Sequence, residues 1–530
     1  MKLIVALLLT IAACQPSPAQ TLDADGWTIL TPSADSRQVY VSSSIGLDTN
    51  DGLTEATPKK TVSAGLKLLR NQQPDWLRLK CGDTFPAEGS WRIETNGGPS
   101  ADRMTVITSY GTGQRPVLLN GKMWYGSTTI PLKHFAVVGL DQYASFRDSS
   151  SPDFGVGASA SVAFQILLGG FASANSENWL FENNRWRGFL SNVQIDGRQG
   201  STDLTSIRGI TFRRNVIQDA EEFGLQLYYS QNAVIDENVL VKNGWAKRTP
   251  QLHNMYMSGA ISPTIRNNIF SHGGNMSIKL SGNSQSAVTD FVIENNLLNR
   301  GMVGMGHASL NGSWNPQTQY THERGVVRNN VMMKVGKNLP WNSTSVQAMG
   351  FNIGNLNDVL FEANIFAHND EHLAEGQIFR FADPSTERSA NITARNNVVW
   401  NWLSTQFNAS GTYFSYKESV TNLVEENNLP TDVTYTEPSR NLGTYNATLG
   451  GAAIEDAFLL RVTGMQKGDW DSRYTAAAFN SYMRAGFTVA TTPEPDPTPE
   501  PDPVPQTPTA IDKILSGLRA AAAAFLEASE

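Results

Sequence analysis

A short phrase recurs nine times in this chain and limits what it can fold into. Each copy is a run of alternating apolar residues that ends in asparagine and continues with apolar residues, as in residues 292–298 and 393–399. Aligned on that asparagine, the copies lie at Asn184, Asn215, Asn238, Asn268, Asn296, Asn330, Asn364, Asn397 and Asn428. Successive copies are 23 to 34 residues apart. This period predicts a stacked repeat whose units bury their apolar faces against one another.

The apolar residues within each copy alternate with polar ones, which is the period of a strand rather than of a helix. A second alternating run lies between successive copies, at residues 224–228, 254–257, 277–280, 349–353 and 379–381. Clusters of glycine, asparagine and serine separate the runs and predict turns. One repeat therefore holds at least two strands and two turns, which is the content of one coil of a parallel β-helix.

The recurring asparagine is predicted to lie at a bend between strands, where asparagine tolerates the left-handed backbone conformation. Stacked in register, its side-chain amide can hydrogen-bond to the coils above and below and form a ladder. Because buried amides need hydrogen-bond partners, we expect these nine residues to be structural and assign them no chemistry.

The phrase, with Ile-x-x-Asn-Asn followed by an aliphatic residue and a further strand between copies, resembles the right-handed parallel β-helix superfamily with the pectate-lyase-like fold. The resemblance covers most of residues 40–430. It implies an all-β fold, a right-handed parallel β-helix solenoid. It does not select an activity, because that superfamily includes polysaccharide lyases, glycoside hydrolases, uronate epimerases, phage tailspikes and non-catalytic adhesins.

Composition adds two limits. The chain has 530 residues, of which 40% are hydrophobic, so it can bury a large core. Its formal net charge is −8, which argues against a nucleic-acid-binding protein, since such a protein normally carries a basic surplus. An anionic polymer would need a local basic patch, because the overall field repels it.

Residues 1–19 are predicted to be a signal peptide, with Lys2 before an apolar core too short to span a bilayer. The sequence before Cys14 resembles a lipobox, which would leave a lipid anchor on that cysteine; cleavage after Ala19 is the alternative. Either way we expect an exported protein, secreted, periplasmic or an outer-surface lipoprotein, without a transmembrane helix after signal removal. Cys81 is the only other cysteine, so no intramolecular disulfide is expected.

The rest of the chain divides into five segments. These are an N-terminal cap with the first strands (20–100), the β-helix coils (101–430), a small C-terminal cap (431–490), a Pro-rich linker (491–508) and an amphipathic helix (509–530). In the N-terminal cap, Val62, Leu66 and Leu69 share one helical face, which predicts a capping helix over the open end of the coil. The apolar face of the last helix predicts a partner, either another copy of the chain or a different protein.

The strand between asparagine phrases presents a candidate site. If its apolar residues point inward, their neighbours line an outer column suited to a linear polymer, since stacked strands are about 4.8 Å apart. The predicted column consists of Tyr228, Tyr256, Lys279, His307, Asn352 and Arg380.

The residue types in this column suit sugar chemistry. Tyr228 and Tyr256 can stack on sugar rings, and we group Asn352 with them as substrate-binding. Lys279 is a candidate general base if Arg380 or burial lowers its pKa. Arg380 can bind a uronate carboxylate in bidentate fashion, and the remaining histidine of the column can act as acid or base. These roles resemble the lyase reaction of the superfamily.

Two further sets of residues are candidates. Residues 252–256 and 275–279 resemble HNxY and HxIK phrases of secreted β-helix proteins, which makes His253 a predicted substrate-binding residue and places His272 nearby. Asp219, Glu221 and Glu222 cluster before the strand at 224–228. Such carboxylates could serve a hydrolase as acid and base, or hold Ca²⁺ as a cofactor.

Another acidic turn, at residues 48–51, could also hold Ca²⁺ or be a solvated turn. The Asp-Asp and Gly-His-Gly phrases of polygalacturonase-like hydrolases are absent, which disfavours a hydrolase. The leading hypothesis is an exported lyase that acts on a uronate-containing glycan. The alternatives are a non-catalytic carbohydrate-binding adhesin and a phage tailspike-like depolymerase.

Overall fold

The computed structural model describes residues 21–489, apart from 199–205, 247–251, 275, 283–285, 308–319, 336–348, 369–376, 382–387, 403–413, 416 and 429–433. The predicted signal peptide, Pro-rich linker and C-terminal helix lie outside the described residues. Within them, strands dominate, and every pairing between the strands is parallel. None of the described helices is both long enough and apolar enough to cross a membrane.

The strands form three long rows, which we call the first, second and third sheets. The first sheet contains Gln38–Val41, Trp76–Lys80, Thr105–Tyr110, Lys133–Val138, Glu177–Glu182, Ile207–Arg213, Val234–Asp236, Thr264–Arg266, Val288–Thr289, Val292–Glu294, His322–Arg328, Leu356–Glu362, Ser389–Arg395 and Val420–Glu426. The second sheet contains Thr84–Pro86, Val117–Leu119, Asp141–Tyr143, Arg185–Arg187, Val216–Gln218, Val239–Val241, Ile269–Ser271, Leu297–Asn299, Val331–Met333, Ile365–Ala367 and Val398–Trp400.

The third sheet contains Ser90–Arg92, Lys122–Ser127, Val162–Leu168, Ser191–Asp196, Phe223–Gln231, His253–Ile261, Met276–Gly282, Met302–His307, Met349–Ile353, Gln377–Phe381 and Phe414–Ser415. The chain visits the first, second and third sheets in turn, and each strand pairs with its counterpart one coil further along. This is the predicted parallel β-helix. All three sheets have strands before residue 101, so the coils begin earlier than the sequence predicted.

In the described part of the chain, five α-helices accompany the coils: α1 (Val62–Leu66), α2 (Gly170–Asn175), α3 (Leu442–Thr448), α4 (Glu455–Gly464) and α5 (Ala476–Gly486). Short 3-10 helices cover Ser145–Arg147, Lys417–Ser419, Lys467–Asp469 and Ser472–Tyr474. Helix α1 begins after Thr61, whose hydroxyl accepts a hydrogen bond from the amide of Ala64. Its buried residues join the core beside Val39 and Leu77, near the first strands of the first sheet.

The interior of the helix is apolar, as the alternation predicted. The expected inward residues of the third sheet are at most 1% exposed: Leu225, Leu227, Met255, Met257, Ile278, Leu280, Phe351, Ile353, Phe379 and Phe381. Phenylalanine rings stack between coils, for example Phe351 on Phe379 with 5.2 Å between ring centroids. Each coil thus buries its apolar face against the next coil, and this burial is the main force that stabilises the fold.

The nine recurring asparagines form the predicted ladder between the first and second sheets. Each side-chain amide donates to the Oδ1 atom of the next asparagine, with all eight N–O distances between 2.9 and 3.1 Å. The left-handed conformation belongs to the residue before each of them, such as Asn295 before Asn296. The prediction of a ladder is confirmed, while the strained turn position lies one residue earlier than expected.

The C-terminal helices lie along the side of the coils. Apolar residues of α3, α4 and α5 form one buried cluster with the outer side chains of the second sheet, from Val216 to Ile365. Helix α4 contacts Val239–Val241, and α5 contacts Leu297–Asn299. The sequence predicted a cap over the last coil, whereas this segment covers the flank of the second sheet across many coils.

The outer face of the first sheet carries a ladder of alternating charge. Its register positions are Glu182, Arg213, Asp236, Arg266, Glu294, Arg328, Glu362, Arg395 and Glu426. Neighbouring coils form ion pairs, such as Arg328 with Glu294 at 2.7 Å and Arg395 with Glu362 at 2.7 Å. Acidic and basic groups neutralise one another on this face, so it offers no single-sign surface to a charged polymer.

Candidate functional site

The outer face of the third sheet is polar and aromatic along one register position, which we call the outer column. In coil order it contains Arg92, Trp124, Gln165, Gln194, Gln226, Tyr256, Lys279, Gly304, Asn352, Arg380 and Ser415. The column contains no aspartate or glutamate. Strand spacing places consecutive members about 4.8 Å apart.

Four of the predicted site residues share this column: Tyr256, Lys279, Asn352 and Arg380. The prediction for His307 is wrong. Gly304 takes its place in the column, and His307 pairs with Gly282, three residues further along the strand. The sequence assigned residues 304–308 to the correct coil but with the wrong register, and the backbone pairing selects the glycine.

Tyr228 lies beside the outer column rather than in it. It is two residues beyond Gln226 and pairs with Asp196 and Ser258 in the neighbouring coils. Its ring centroid is nonetheless 5.4 Å from that of Tyr256, and burial raises the pKa of Tyr228. The two tyrosines therefore form one aromatic patch across two adjacent columns.

His253 lies beneath this patch. It is 3% exposed, and its ring is stacked on Tyr256 with the ring planes 8° apart and 5.8 Å between centroids. Burial, assisted by the positive charge of Lys279, lowers the pKa of His253 to about 3, so the ring is neutral near pH 7. The low exposure of the ring contradicts the predicted direct contact with substrate, and the ring packs against Tyr256 instead.

Lys279 lies between Tyr256 and Gly304 in the register. A side chain at position 304 would clash with the sulfur of Met276, at 2.2 Å from its Cβ, and would crowd Lys279. Burial, with a contribution from the charge of Lys279, also lowers the pKa of His322 to about 3. The amine of Lys279 therefore has two neutral histidines near it.

Arg380 and Asn352 form a separate part of the column. The Arg380 guanidinium donates to the Asn352 side-chain oxygen at 3.3 Å. Three register steps separate Arg380 from Lys279, which is about 14 Å at the spacing of stacked strands. The sequence suggested that Arg380 lowers the pKa of Lys279. This distance is too long for that effect.

The column extends over earlier coils that the sequence analysis missed. Trp124, Gln165 and Gln194 are partly exposed and occupy the same register position as Tyr256. The side chain of Gln165 accepts from Lys122 Nζ at 3.0 Å and donates to Gln194 Oε1 at 2.6 Å. The signal was present in the sequence, since residues 162–168 and 191–196 alternate in the same way as the later strands.

Asp196 is a further residue that sequence reasoning missed. It pairs in register with Tyr228, and its carboxylate accepts from the backbone amide of Arg198 at 2.8 Å. Burial raises the pKa of Asp196, and the nearby Arg198 only partly offsets this effect. A carboxyl group of raised pKa thus adjoins the outer column on its tyrosine side.

The three carboxylates Asp219, Glu221 and Glu222 do not come together as a metal site. Asp219 accepts from Gln218 Nε2 at 2.6 Å, and Glu221 forms an ion pair with Arg147 at 2.5 Å. Within the described parts of the chain, no three His, Cys, Asp or Glu side chains are placed to hold one ion. The predicted Ca²⁺ site is therefore wrong, because a neighbouring cation and an amide already satisfy two of its members.

The acidic turn at residues 48–51 also has a carboxylate that is already hydrogen-bonded within the protein. The Asp48 carboxylate accepts from the backbone amides of Lys60 and Thr61, both at 2.9 Å. These bonds join the exposed turn to the start of α1, which favours the alternative of a solvated turn over a Ca²⁺ site.

His272 does not belong to the site either. It follows a strand of the second sheet, and its Nε2 atom lies 3.7 Å from Glu455 at the start of α4. Glu455 also binds Arg300 at 2.8 Å and Lys334 at 2.9 Å. The residue therefore helps the C-terminal helices dock onto the coils.

Comparison with known proteins gives structural likeness only. No protein-family model and no curated protein matches the sequence. The fold is similar to that of a GH136 lacto-N-biosidase from Eubacterium ramulus, with 13% identity, a TM-score of 0.41, and coverage of 74% of this chain and 67% of that one.

It is also similar to a rhamnogalacturonan lyase, with 13% identity, a TM-score of 0.39, and coverage of 74% and 87%. A third similar structure is an alginate lyase from a Paenibacillus species, with 12% identity, a TM-score of 0.32, and coverage of 74% and 96%. At such identities and TM-scores, neither substrate nor reaction carries over to this chain.

Proposed function

We propose that the outer column binds an extended polysaccharide, and that the protein is an exported lyase acting on a uronate-containing glycan. The observation that carries this proposal is the run of aromatic, amide and cationic side chains from Arg92 to Arg380 at one register position, which only Gly304 interrupts. A linear polymer needs such a repeating surface, since each sugar meets the same kind of contact as the one before.

Charge supports an acidic polymer in this position. The whole chain carries a net charge of −8, yet the column has cations and no carboxylate. The first sheet differs, because its charges alternate and cancel. A uronate carboxylate would therefore gain most from binding beside Lys279 or Arg380, where bidentate and charge-assisted hydrogen bonds are available.

The reactive part of the proposed site is the pair Tyr256 and Lys279, one coil apart. The amine of Lys279, in its neutral form, takes the C5 proton of a uronate. The C4–O bond breaks as the C4=C5 double bond forms, and the Tyr256 hydroxyl returns a proton to the departing oxygen. Asn352 and Arg380, two and three coils further, hold later sugars of the same chain.

The proposal is tested by incubating the purified protein with alginate, pectate and chondroitin and following the ultraviolet absorbance of the unsaturated product. We expect turnover of one polymer, and a loss of at least about 100-fold in Lys279→Ala and Tyr256→Phe, the usual contribution of an acid or base. Lys60→Ala, an exposed lysine outside the column, is the matched control and should retain full activity. Absence of product from every polymer would overturn the lyase assignment.

A carbohydrate-binding protein without turnover is the second candidate. The length of the column favours it, since the run from Arg92 to Arg380 is far longer than one scissile bond requires. Calorimetric binding of a polymer that yields no unsaturated product would select this candidate over the lyase.

A further inference from the structure

The outer column contains a second aromatic position that no proposed reaction step uses. Trp124 is partly exposed, and its indole N–H donates to the hydroxyl of Ser90 at 3.2 Å. This hydrogen bond ties the ring to the preceding coil. The ring is therefore held in one orientation on the outer face of the third sheet.

A glycine makes room for this ring. The next outer position along the strand is Gly126, and a Cβ atom there would lie 3.1 Å from the six-membered ring of Trp124. A larger residue would push the indole away from the backbone. With glycine, the indole lies close to the strand and remains partly exposed.

Two cations flank the same ring. The guanidinium of Arg92 is 5.3 Å from the ring centroid of Trp124, and the amine of Lys122 is 5.4 Å from it. Among the side chains that the structure describes, no carboxylate forms an ion pair with either cation; Lys122 donates to the amide oxygen of Gln165. Two positive charges without an acidic partner favour an anionic ligand at this position.

We propose that Trp124, Arg92 and Lys122 form a second subsite that binds a uronate sugar. The sugar ring stacks on the indole, and its carboxylate pairs with the two cations. The subsite lies five register steps from Lys279, about 24 Å at the spacing of stacked strands. This inference rests on the proposed function, because the same polymer would occupy the column between the two positions.

The separation has a measurable consequence. An oligosaccharide that is too short to span both positions binds at one of them only. A longer chain engages both, and the second contact is then intramolecular, so affinity rises steeply once the chain spans about 24 Å. The protein should thus select polymers over short fragments by length as well as by charge.

The test is calorimetric affinity for size-fractionated oligosaccharides of alginate, pectate and chondroitin. In the unchanged protein we expect a step in affinity with chain length. Trp124→Ala should lower the affinity for long chains about tenfold, the size of one stacking contact with its share of ordering. Short chains that reach only Lys279 should bind as before.

Further variants separate stacking from charge. Trp124→Phe should keep part of the rise in affinity with chain length, because an aromatic face remains. The double variant Arg92→Gln with Lys122→Gln should lower the affinity for long oligosaccharides and reduce the salt dependence of binding. Lys67→Gln replaces an exposed lysine outside the column and is the matched control. It should change neither the affinity for long chains nor its salt dependence.

Two results would overturn the subsite in different ways. If Trp124→Ala binds chains of every length as the unchanged protein does, the subsite is refuted while the proposed function stands. If the unchanged protein binds no acidic polymer of any length, the proposed function fails and the subsite with it. Thermal melting of each variant checks that the fold is intact.

Discussion

The second and third sheets have equivalent inner faces and opposite outer faces. Inside, both contribute large apolar side chains to one core, such as Phe270 and Leu227. Outside, the second sheet presents Val239, Ile269 and similar residues, which α3, α4 and α5 cover. The third sheet presents the outer column, in which Arg92, Trp124, Tyr256, Lys279 and Arg380 are at least partly exposed. Stacking thus depends on the inner faces, and the outer residues decide whether a sheet becomes core or surface.

The difference between the two outer faces predicts the largest loss of stability at an outer position of the second sheet that the helices cover. Ile269 is 2% exposed beneath the C-terminal helices, so Ile269→Asp would bury a carboxylate in an apolar cluster. We expect a loss of about 4 kcal/mol in the free energy of unfolding, measured by urea denaturation. Arg92→Gln, at an exposed outer position of the third sheet, should stay within about 0.5 kcal/mol. Equal losses would mean that the two faces do not differ.

A smaller effect is expected where the covering helices are held by charge. Burial opposes ionisation of Glu455, but hydrogen bonds and charge from Arg300 and Lys334 hold the pKa of Glu455 well below its ordinary value. Because Glu455→Gln leaves two partly buried cations without their carboxylate, it should cost about 3 kcal/mol.

Limited proteolysis of Glu455→Gln tests whether these ion pairs hold the C-terminal helices. In this variant the helices should become the first segment to be cut. Glu437→Gln is the matched control, because that glutamate is exposed and lies outside the contact with the coils. A cleavage pattern identical in both variants would show that the helices do not depend on the ion pairs.

The smallest effect per step of the experiment is that of one pH unit, and it compares histidines of the two sheets. Burial lowers the pKa of His253, beneath the third sheet's outer column, to about 3, and that of His272, beside the second sheet, to about 4. Both values lie below that of an unfolded histidine, about 6.5. The unfolded chain therefore binds more protons, and stability falls as pH drops below about 6.5, by up to 1.4 kcal/mol per pH unit for each histidine.

Replacement of each histidine sharpens the comparison. His253→Gln should flatten the loss of stability from about pH 6.5 down to about pH 3, whereas His272→Gln should flatten it only down to about pH 4. Denaturation midpoints at steps of half a pH unit measure both windows. Unchanged slopes in both variants would contradict the neutral, buried state of these rings.

Prediction from the sequence holds where one local rule repeats along the chain. Alternation predicted the inward side chains, such as Met255 and Ile278, and the asparagine period predicted the ladder at Asn296. Four column members were also found by alternation alone. Each of these follows from the two-residue period of a strand, which is independent of the rest of the fold.

Prediction from the sequence fails where the result depends on pairing between coils. It put His307 in the column, although the register places Gly304 there, because loops of unequal length separate the repeats. It omitted Trp124 and Gln194, because the column was traced only over the strands from residue 224 onward. It also gave His253 to the surface, whereas its ring packs beneath Tyr256.

The amino-acid sequence by itself determined the repeat, the strand content, the apolar core and the inert asparagines, because periodicity and burial act within a few residues. Only the tertiary structure decided which outer faces stay open, which side chains share a register position and that Arg380 lies three coils from Lys279. These properties arise between coils, where turn lengths and the docking of α3 to α5 set the geometry. The candidate site of a stacked fold therefore depends on which residues of successive coils pair in register.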